Sequence, residues 1–215
     1  MTNAEGIELL KALLWPLVTL IAIAVFYKPI LKLLSRDDVA VTLPGGIELS
    51  ASKRAAASSL EEATQEKNQP PIGGEAALDE TTVLGDAVRE HGAARILWVD
   101  DHPSNNRPER AALEKLGIVV EPALSTDAAL VMLARSRFDL VISDMGRPEG
   151  AQAGYDLLEK MRDRGDPTGL IFYTSSRDGA HFDEAVRRGA LGCTDAPREL
   201  LEMIASGIRS GRLTR

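Results

Sequence analysis

The chain is poor in the residues on which several common chemistries depend. Its single cysteine, Cys193, excludes an internal disulfide and any cysteine-rich zinc site. Placed in a strand-like run, it reads as a small core residue rather than a reactive thiol. The three histidines, His91, His102 and His181, fall at no metal-ligand spacing, and the sequence contains neither a Ser-His-Asp pattern nor a nucleotide-binding glycine run. Positive charge is also in deficit. The 25 Lys and Arg against 32 Asp and Glu give a net charge of -7, which argues against a nucleic-acid partner, whose phosphates favour a basic surface.

What is present is an apolar framework that ends in carboxylates. At 215 residues and 44% apolar, the chain can hold one ordinary domain of about 100 to 150 residues plus appendages. Strand-like runs near Ile96, Ile118, Leu140, Ile171 and Leu191 alternate with helix-like segments around Arg110 to Leu116, Asp127 to Arg135, Tyr155 to Arg162 and His181 to Arg188. A last helix carries Leu200, Leu201, Ile204 and Ile208. Right-handed crossovers in such an alternation predict an α/β fold, a five-stranded parallel flavodoxin-like sheet with helices on both faces.

Asp144 ends the run Phe138 to Ser143, and Asp100 and Asp101 end the run Arg95 to Val99. A single aspartate at a strand end is usually a turn or a cap. Three of them at the ends of two strands, however, open into the crevice at the carboxyl end of a doubly wound sheet. Anions that close repel one another unless a cation lies between them, and Mg²⁺ accepts carboxylate, carbonyl and water oxygens. A Mg²⁺ site is therefore expected.

Over roughly Arg95 to Ser210 the sequence resembles the receiver domain of bacterial two-component response regulators. Val99-Asp100-Asp101-His102-Pro103 is similar to the first acidic cluster of that family, and Asp139 to Asp144 to the strand bearing its phosphoacceptor. Pro148 stands four positions after Asp144, Leu170 to Thr174 resembles the strand with the hydroxyl residue, and Gly189 to Gly192, Pro197 and Glu199-Leu200 match the approach to the last helix. The resemblance implies phosphoryl transfer to Asp144 from a histidine kinase, a phosphotransfer protein or a small acyl phosphate. Asp100, Asp101, Asp144 and the Gly146 carbonyl would hold Mg²⁺, and the Thr174 hydroxyl would contact the phosphoryl group. It implies a signalling module acting through an unidentified downstream protein, not a turnover enzyme.

Two positions depart from the family pattern. Ala196 stands where the family has a lysine, and Cys193 where it usually has an aromatic residue. The alternative reading is thus a pseudo-receiver, a membrane-tethered binding scaffold that works without phosphorylation. Arg147 offers a replacement cation, against the plainer reading of a surface arginine.

Residues 1–36 suit a different solvent. From Ala12 to Tyr27 the chain is uncharged, roughly 24 Å of helix at about 1.5 Å per residue, and flanking apolar residues from Ile7 to Leu10 and Ile30 to Leu34 extend it toward a hydrocarbon core of about 30 Å. Glu5 and Glu8 spoil the basic leader of a cleavable signal, so a single transmembrane anchor is expected. Lys28, Lys32, Arg36, Lys53 and Arg54 follow the span, against Lys11 before it. The positive-inside bias places residues 94–215, the receiver-like domain, on the cytoplasmic side of the inner membrane. Residues 37–93 read as a juxtamembrane hairpin, with strands at Val39 to Leu43 and Ile47 to Ser50, followed by a linker. An isolated hairpin is marginal in water, which suggests pairing with a second copy.

Overall fold

The computed structural model describes residues 40–43, 47–174 and 179–211. The expected membrane span over Ala12 to Tyr27 lies outside the described residues; among those described, no helix is long and apolar enough to cross a membrane. Two compact units are present, with the division at Ala51 and Ser52. In the first, β1 (Ala40–Leu43) and β2 (Ile47–Ser50) pair antiparallel, with Ala40 opposite Ser50 and Leu43 opposite Ile47.

The second unit is built on a parallel five-stranded sheet. Its strands are β3 (Arg95–Val99), β4 (Val119–Ala123), β5 (Leu140–Ser143), β6 (Gly169–Tyr173) and β7 (Gly192–Thr194), in the order β4-β3-β5-β6-β7. The three central strands are apolar almost end to end and buried on both faces, as covered parallel strands must be. β4 carries Pro122 and exposed Val119, which suits an edge where a missing N–H costs no ladder bond.

On one face lie α3 (Arg107–Lys115) and α7 (Pro197–Arg209). The other is covered by α4 (Thr126–Arg135), α5 (Ala153–Asp163) and α6 (Gly179–Arg187). Local chemistry sets several of these boundaries: the Ser125 hydroxyl caps α4 by accepting the Ala128 N–H at 3.2 Å, and Pro197 opens α7, where its missing N–H needs no partner. Gly154, at the start of α5, allows the closest approach. A Cβ there would meet the Asp144 carbonyl at 2.9 Å and Phe172 at 2.8 Å, so only glycine lets this helix lie against the loop that carries Asp144.

The linker reading allows helices at Ala55 to Lys67 and Thr82 to Glu90 within a tether; in the structure residues 52–91 are largely helical and packed. They form most of α1 (Ala51–Glu66) and all of α2 (Gly74–His91), which join the same core as α3 and α7 through fully buried Ala56, Leu60, Ala77 and Leu84. Polar contacts fix them further: Lys115 Nζ donates to Ser59 Oγ at 2.7 Å, and Arg198 pairs with Glu80 at 2.8 Å. The apolar stripe of these helices is made largely of alanine, with Ser59, Thr64 and Thr81 buried among it. Small and hydroxyl side chains give a weak periodic signal, so the stripe reads as solvated. Leu84→Ala is expected to lower unfolding free energy by about 2 to 3 kcal/mol, the usual cost of a leucine-sized cavity. Chemical denaturation measures it; an unchanged midpoint would indicate a helix that packs on nothing.

Candidate functional site

Strand register brings the acidic residues together. Val99 on β3 pairs with Ser143 on β5, so the next residue on each strand, Asp100 and Asp144, leaves the carboxyl edge of the sheet beside the other. The Asp144 N–H extends the ladder by donating to the Val99 carbonyl at 2.9 Å, and the Asp100 N–H donates to the Ala123 carbonyl at 2.9 Å. On the far side of β5, Ser143 pairs with Phe172 and Tyr173 with Thr194, which delivers Thr174 and Asp195 to the same edge. Asp100, Asp144, Thr174 and Asp195 line one cavity of about 110 Å³ together with Lys67, Asn105, Asn106 and Tyr173.

Each carboxylate is held by its own partners. Asp100 is buried; it accepts the His102 N–H at 2.7 Å on one oxygen and a short hydrogen bond from the Asn106 amide on the other. Asp101 lies beside it with His102 Nδ1 at 2.7 Å, and ligand atoms of Asp100, Asp101 and His102 all fall within 4.8 Å of one another. The Asp144 carboxylate accepts the Met145 N–H at 2.7 Å. Burial pushes the pKa of Asp144 above its ordinary range, and the charges of Asp100 and Asp101 add to the rise against the opposing Met145 amide and Arg147. Carboxylate oxygens gathered at one sheet edge, with the Asp144 anion disfavoured chiefly by burial, are what a hard divalent cation stabilises, so the residues fit Mg²⁺. Of the residues expected from the sequence, Asp100, Asp144 and Thr174 share the cavity, Asp101 flanks it, and Gly146, two positions beyond Asp144, is not among the residues lining it.

Arg147 is neither a surface residue nor a cation of this cavity. Its side chain is fully buried and donates to Ser143 Oγ at 2.8 Å, the Asp144 carbonyl at 2.7 Å, Thr126 Oγ1 at 2.8 Å and the Ala153 carbonyl at 2.9 Å. It thus ties the loop after β5 to the starts of α4 and α5. Glu149 completes the tie, accepting Arg147 Nε at 3.0 Å and the Thr126 N–H at 2.8 Å. Partial burial disfavours its charge, but these two donors outweigh that and hold the carboxyl at about 2. Ala196 brings no charge to the site; its N–H donates to Thr194 Oγ1 at 3.0 Å. Cys193 is buried in β7, and burial, then Asp195, pushes its thiol up, as a core residue requires.

Below the cavity, Glu109 on α3 is fully buried and accepts the Tyr173 hydroxyl at 2.7 Å, while its second oxygen has no partner. Burial raises the Glu109 pKa above its ordinary 4.5; the Tyr173 hydroxyl and Lys67, whose ammonium is 3.9 Å away, pull in the other direction but are the smaller influences. A carboxyl raised in the folded state favours folding below its ordinary value, and that contribution is lost as pH rises through the elevated value. Glu109→Gln is therefore expected to be more stable than wild type at pH 8 and close to it at pH 4, by about 1.4 kcal/mol for each tenfold weakening of the acid. Equal differences at both pH values in denaturant titrations would contradict this.

A larger cavity, about 660 Å³, lies at the opposite end of the strands between the segments leading into β5 and β6. Its acidic residues are committed to the backbone: Asp139 accepts the Arg95 N–H and Asp166 the Thr168 N–H. No comparable convergence of carboxylates occurs there.

Residues 96–205 match the sequence pattern of the response regulator receiver domain. The sensor histidine kinase RcsC of Escherichia coli K12 is 28% identical over 132 residues, 59% of this chain and 14% of that protein. The virulence sensor protein BvgS of Bordetella pertussis Tohama I is 36% identical over 108 residues, 47% of this chain and 8% of its own length. The matched segment is therefore a small part of either relative. Among solved structures, the receiver domain of the Francisella response regulator 1452 superposes with a TM-score of 0.50 at 19% identity, covering 55% of this chain and 98% of that one, a likeness of fold.

Proposed function

Because the chain belongs to the family of response regulator receiver domains, we propose that Asp144 accepts a phosphoryl group in a Mg²⁺-dependent relay and that the protein signals through contacts with other proteins. The observation that carries this reading is the placement of Asp144 beside Asp100 at the ends of paired strands, in a cavity shared with the Thr174 residue. An Asp144 oxygen attacks phosphorus as the bond from phosphorus to the donor's nitrogen or oxygen breaks, its electron pair leaving with the donor. Asp100, Asp101 and Asp144 would hold Mg²⁺, with the Gly146 carbonyl as a further ligand; the metal supplies charge neutralisation for the loose transition state. Asn106 and the His102 N–H keep Asp100 oriented, Arg147 fixes the path of the chain after Asp144, and the Thr174 hydroxyl donates to a phosphoryl oxygen.

The donor is a histidine kinase or a phosphotransfer protein; RcsC and BvgS, which share this segment, are sensor proteins by name. Exposed Phe182 and Val186 on α6, with Leu191 before β7, offer an apolar face to a downstream protein. Residues 1–36 anchor the protein in the cytoplasmic membrane with the receiver domain in the cytoplasm, and the β1–β2 hairpin pairs copies of the chain. The scaffold reading keeps two arguments, the neutral Ala196 and Cys193 in place of the family's aromatic residue. The full-length chain in mild detergent, incubated with acetyl phosphate, is expected to gain one phosphoryl group by intact mass when Mg²⁺ is present and none after chelation. Absence of the adduct in saturating Mg²⁺ would favour the scaffold.

A further inference from the structure

The cavity at Asp144 is lined by three carboxylates, those of Asp100, Asp144 and Asp195, and among the described lining residues the sole cation is Lys67. A phosphoryl group adds about 1.5 to 2 further negative charges at neutral pH. Arg147 is turned away, its guanidinium spent on the Asp144 and Ala153 carbonyls and on Ser143 and Thr126. The strands themselves supply no positive side chain to the cavity; Ala196 is neutral. We infer that Lys67, carried by the turn between α1 and α2 outside the receiver sequence proper, is the phosphoryl-contacting cation of this site, a role that rests on Asp144 being the phosphoacceptor.

The turn is built to deliver it. α1 ends in a left-handed residue, Asn68 with φ +52°, and the Gln69 N–H returns to the Thr64 carbonyl at 3.0 Å while the Asn68 N–H returns to Gln65 at 3.1 Å. This paired closure ends the helix sharply and leaves Lys67 as the first residue of the turn after it. Gln69 then clamps the turn to the receiver through Asp195, donating from Nε2 at 3.1 Å. From that anchored position Lys67 Nζ lies over the Tyr173 ring, 5.2 Å from its centre, and donates to Asn106 Oδ1 at 2.9 Å. Asn106 is the residue whose amide holds Asp100, so the ammonium already sits one side chain from the metal-binding carboxylate. An ammonium has three protons on a flexible stem; one is committed to Asn106 and Glu109 Oε1 lies 3.9 Å away, which leaves donor capacity for a phosphoryl oxygen in the cavity that Lys67 and Asp144 both line.

A consequence is that the helical extension completes the site. Full-length wild type, Lys67→Met and Lys67→Arg are compared by titration with beryllofluoride in saturating Mg²⁺ and, separately, with Mg²⁺ alone. Losing a charge-assisted contact is expected to weaken beryllofluoride binding in Lys67→Met on the order of 10- to 100-fold. Lys67→Arg should recover most of it, and Mg²⁺ affinity should not fall in either. Unchanged beryllofluoride affinity in Lys67→Met would overturn the inference while leaving Asp144 as acceptor. So would a parallel loss of Mg²⁺ affinity that arginine fails to restore, which is the signature of a merely structural lysine. Failure of wild type to bind beryllofluoride at all would remove the acceptor role of Asp144, and the inference with it.

Discussion

Asp144→Asn is expected to abolish the phosphoryl adduct altogether while leaving the protein folded. The amide is isosteric and can still accept the Met145 N–H that the carboxylate takes at 2.7 Å, so the loop retains its main local tie. Burial and the neighbouring charges of Asp100 and Asp101 already disfavour ionisation at this position. Replacing the carboxyl by a neutral group therefore relieves repulsion, and the thermal midpoint without Mg²⁺ should be equal to or above that of wild type. The amide has no nucleophilic oxygen anion, so attack on phosphorus is lost. Mg²⁺ affinity should fall, since one oxygen donor loses its charge. Intact mass after incubation with acetyl phosphate and a thermal melt of the same sample check both halves. A variant that still acquires the label would place the acceptor elsewhere.

Arg147→Met is expected to carry the largest stability penalty of any single change at the site, about 3 to 5 kcal/mol. Methionine keeps much of the apolar stem but none of the donors. Two backbone carbonyls, those of Asp144 and Ala153, and the hydroxyls of Ser143 and Thr126 then lose a charged partner in a place that water does not reach. Glu149 loses its Nε partner but keeps the Thr126 N–H and some exposure, so it adds little to the penalty. The loop that presents Asp144 loses its tie to α4 and α5, and phosphorylation should slow even at temperatures where the variant remains folded. Denaturant unfolding followed by circular dichroism reads the first effect, and labelling rate reads the second. A shift under 1 kcal/mol would mean that the guanidinium is solvated rather than buried.

The two halves of the molecule were not equally legible in the sequence. β3, β5 and β6 announce themselves as continuous apolar runs because both faces of the sheet are covered. Asp100, Asp144 and Thr174 could be placed at one edge because parallel strands in adjacent positions end together. Side chains that depend on long-range packing were not accessible in this way. Arg147 stands between Gly146 and Pro148 in what reads as an exposed turn, and nothing local indicates that its guanidinium folds back onto Thr126 and the Ala153 carbonyl. α1 is rich in Ala and Ser, and α2 buries Ala77, Thr81 and Ala87, small side chains whose low hydrophobicity hides a buried stripe. Lys67 meets Asn106 across 39 positions and Gln69 meets Asp195 across 126, contacts that no spacing rule anticipates. The neutral Ala196, by contrast, was plain from the sequence; what could not be read there was a lysine arriving from another part of the chain.

The acceptor itself can be identified chemically. Borohydride reduces an aspartyl phosphate to homoserine, which marks the modified residue permanently for peptide mass spectrometry. After incubation of the full-length chain with acetyl phosphate and Mg²⁺, homoserine is expected at position 144 alone and at no position once the metal is chelated. Homoserine at Asp100, Asp101 or Asp195, or an adduct formed equally well without metal, would contradict an acceptor seated at the shared carboxyl edge of β3 and β5.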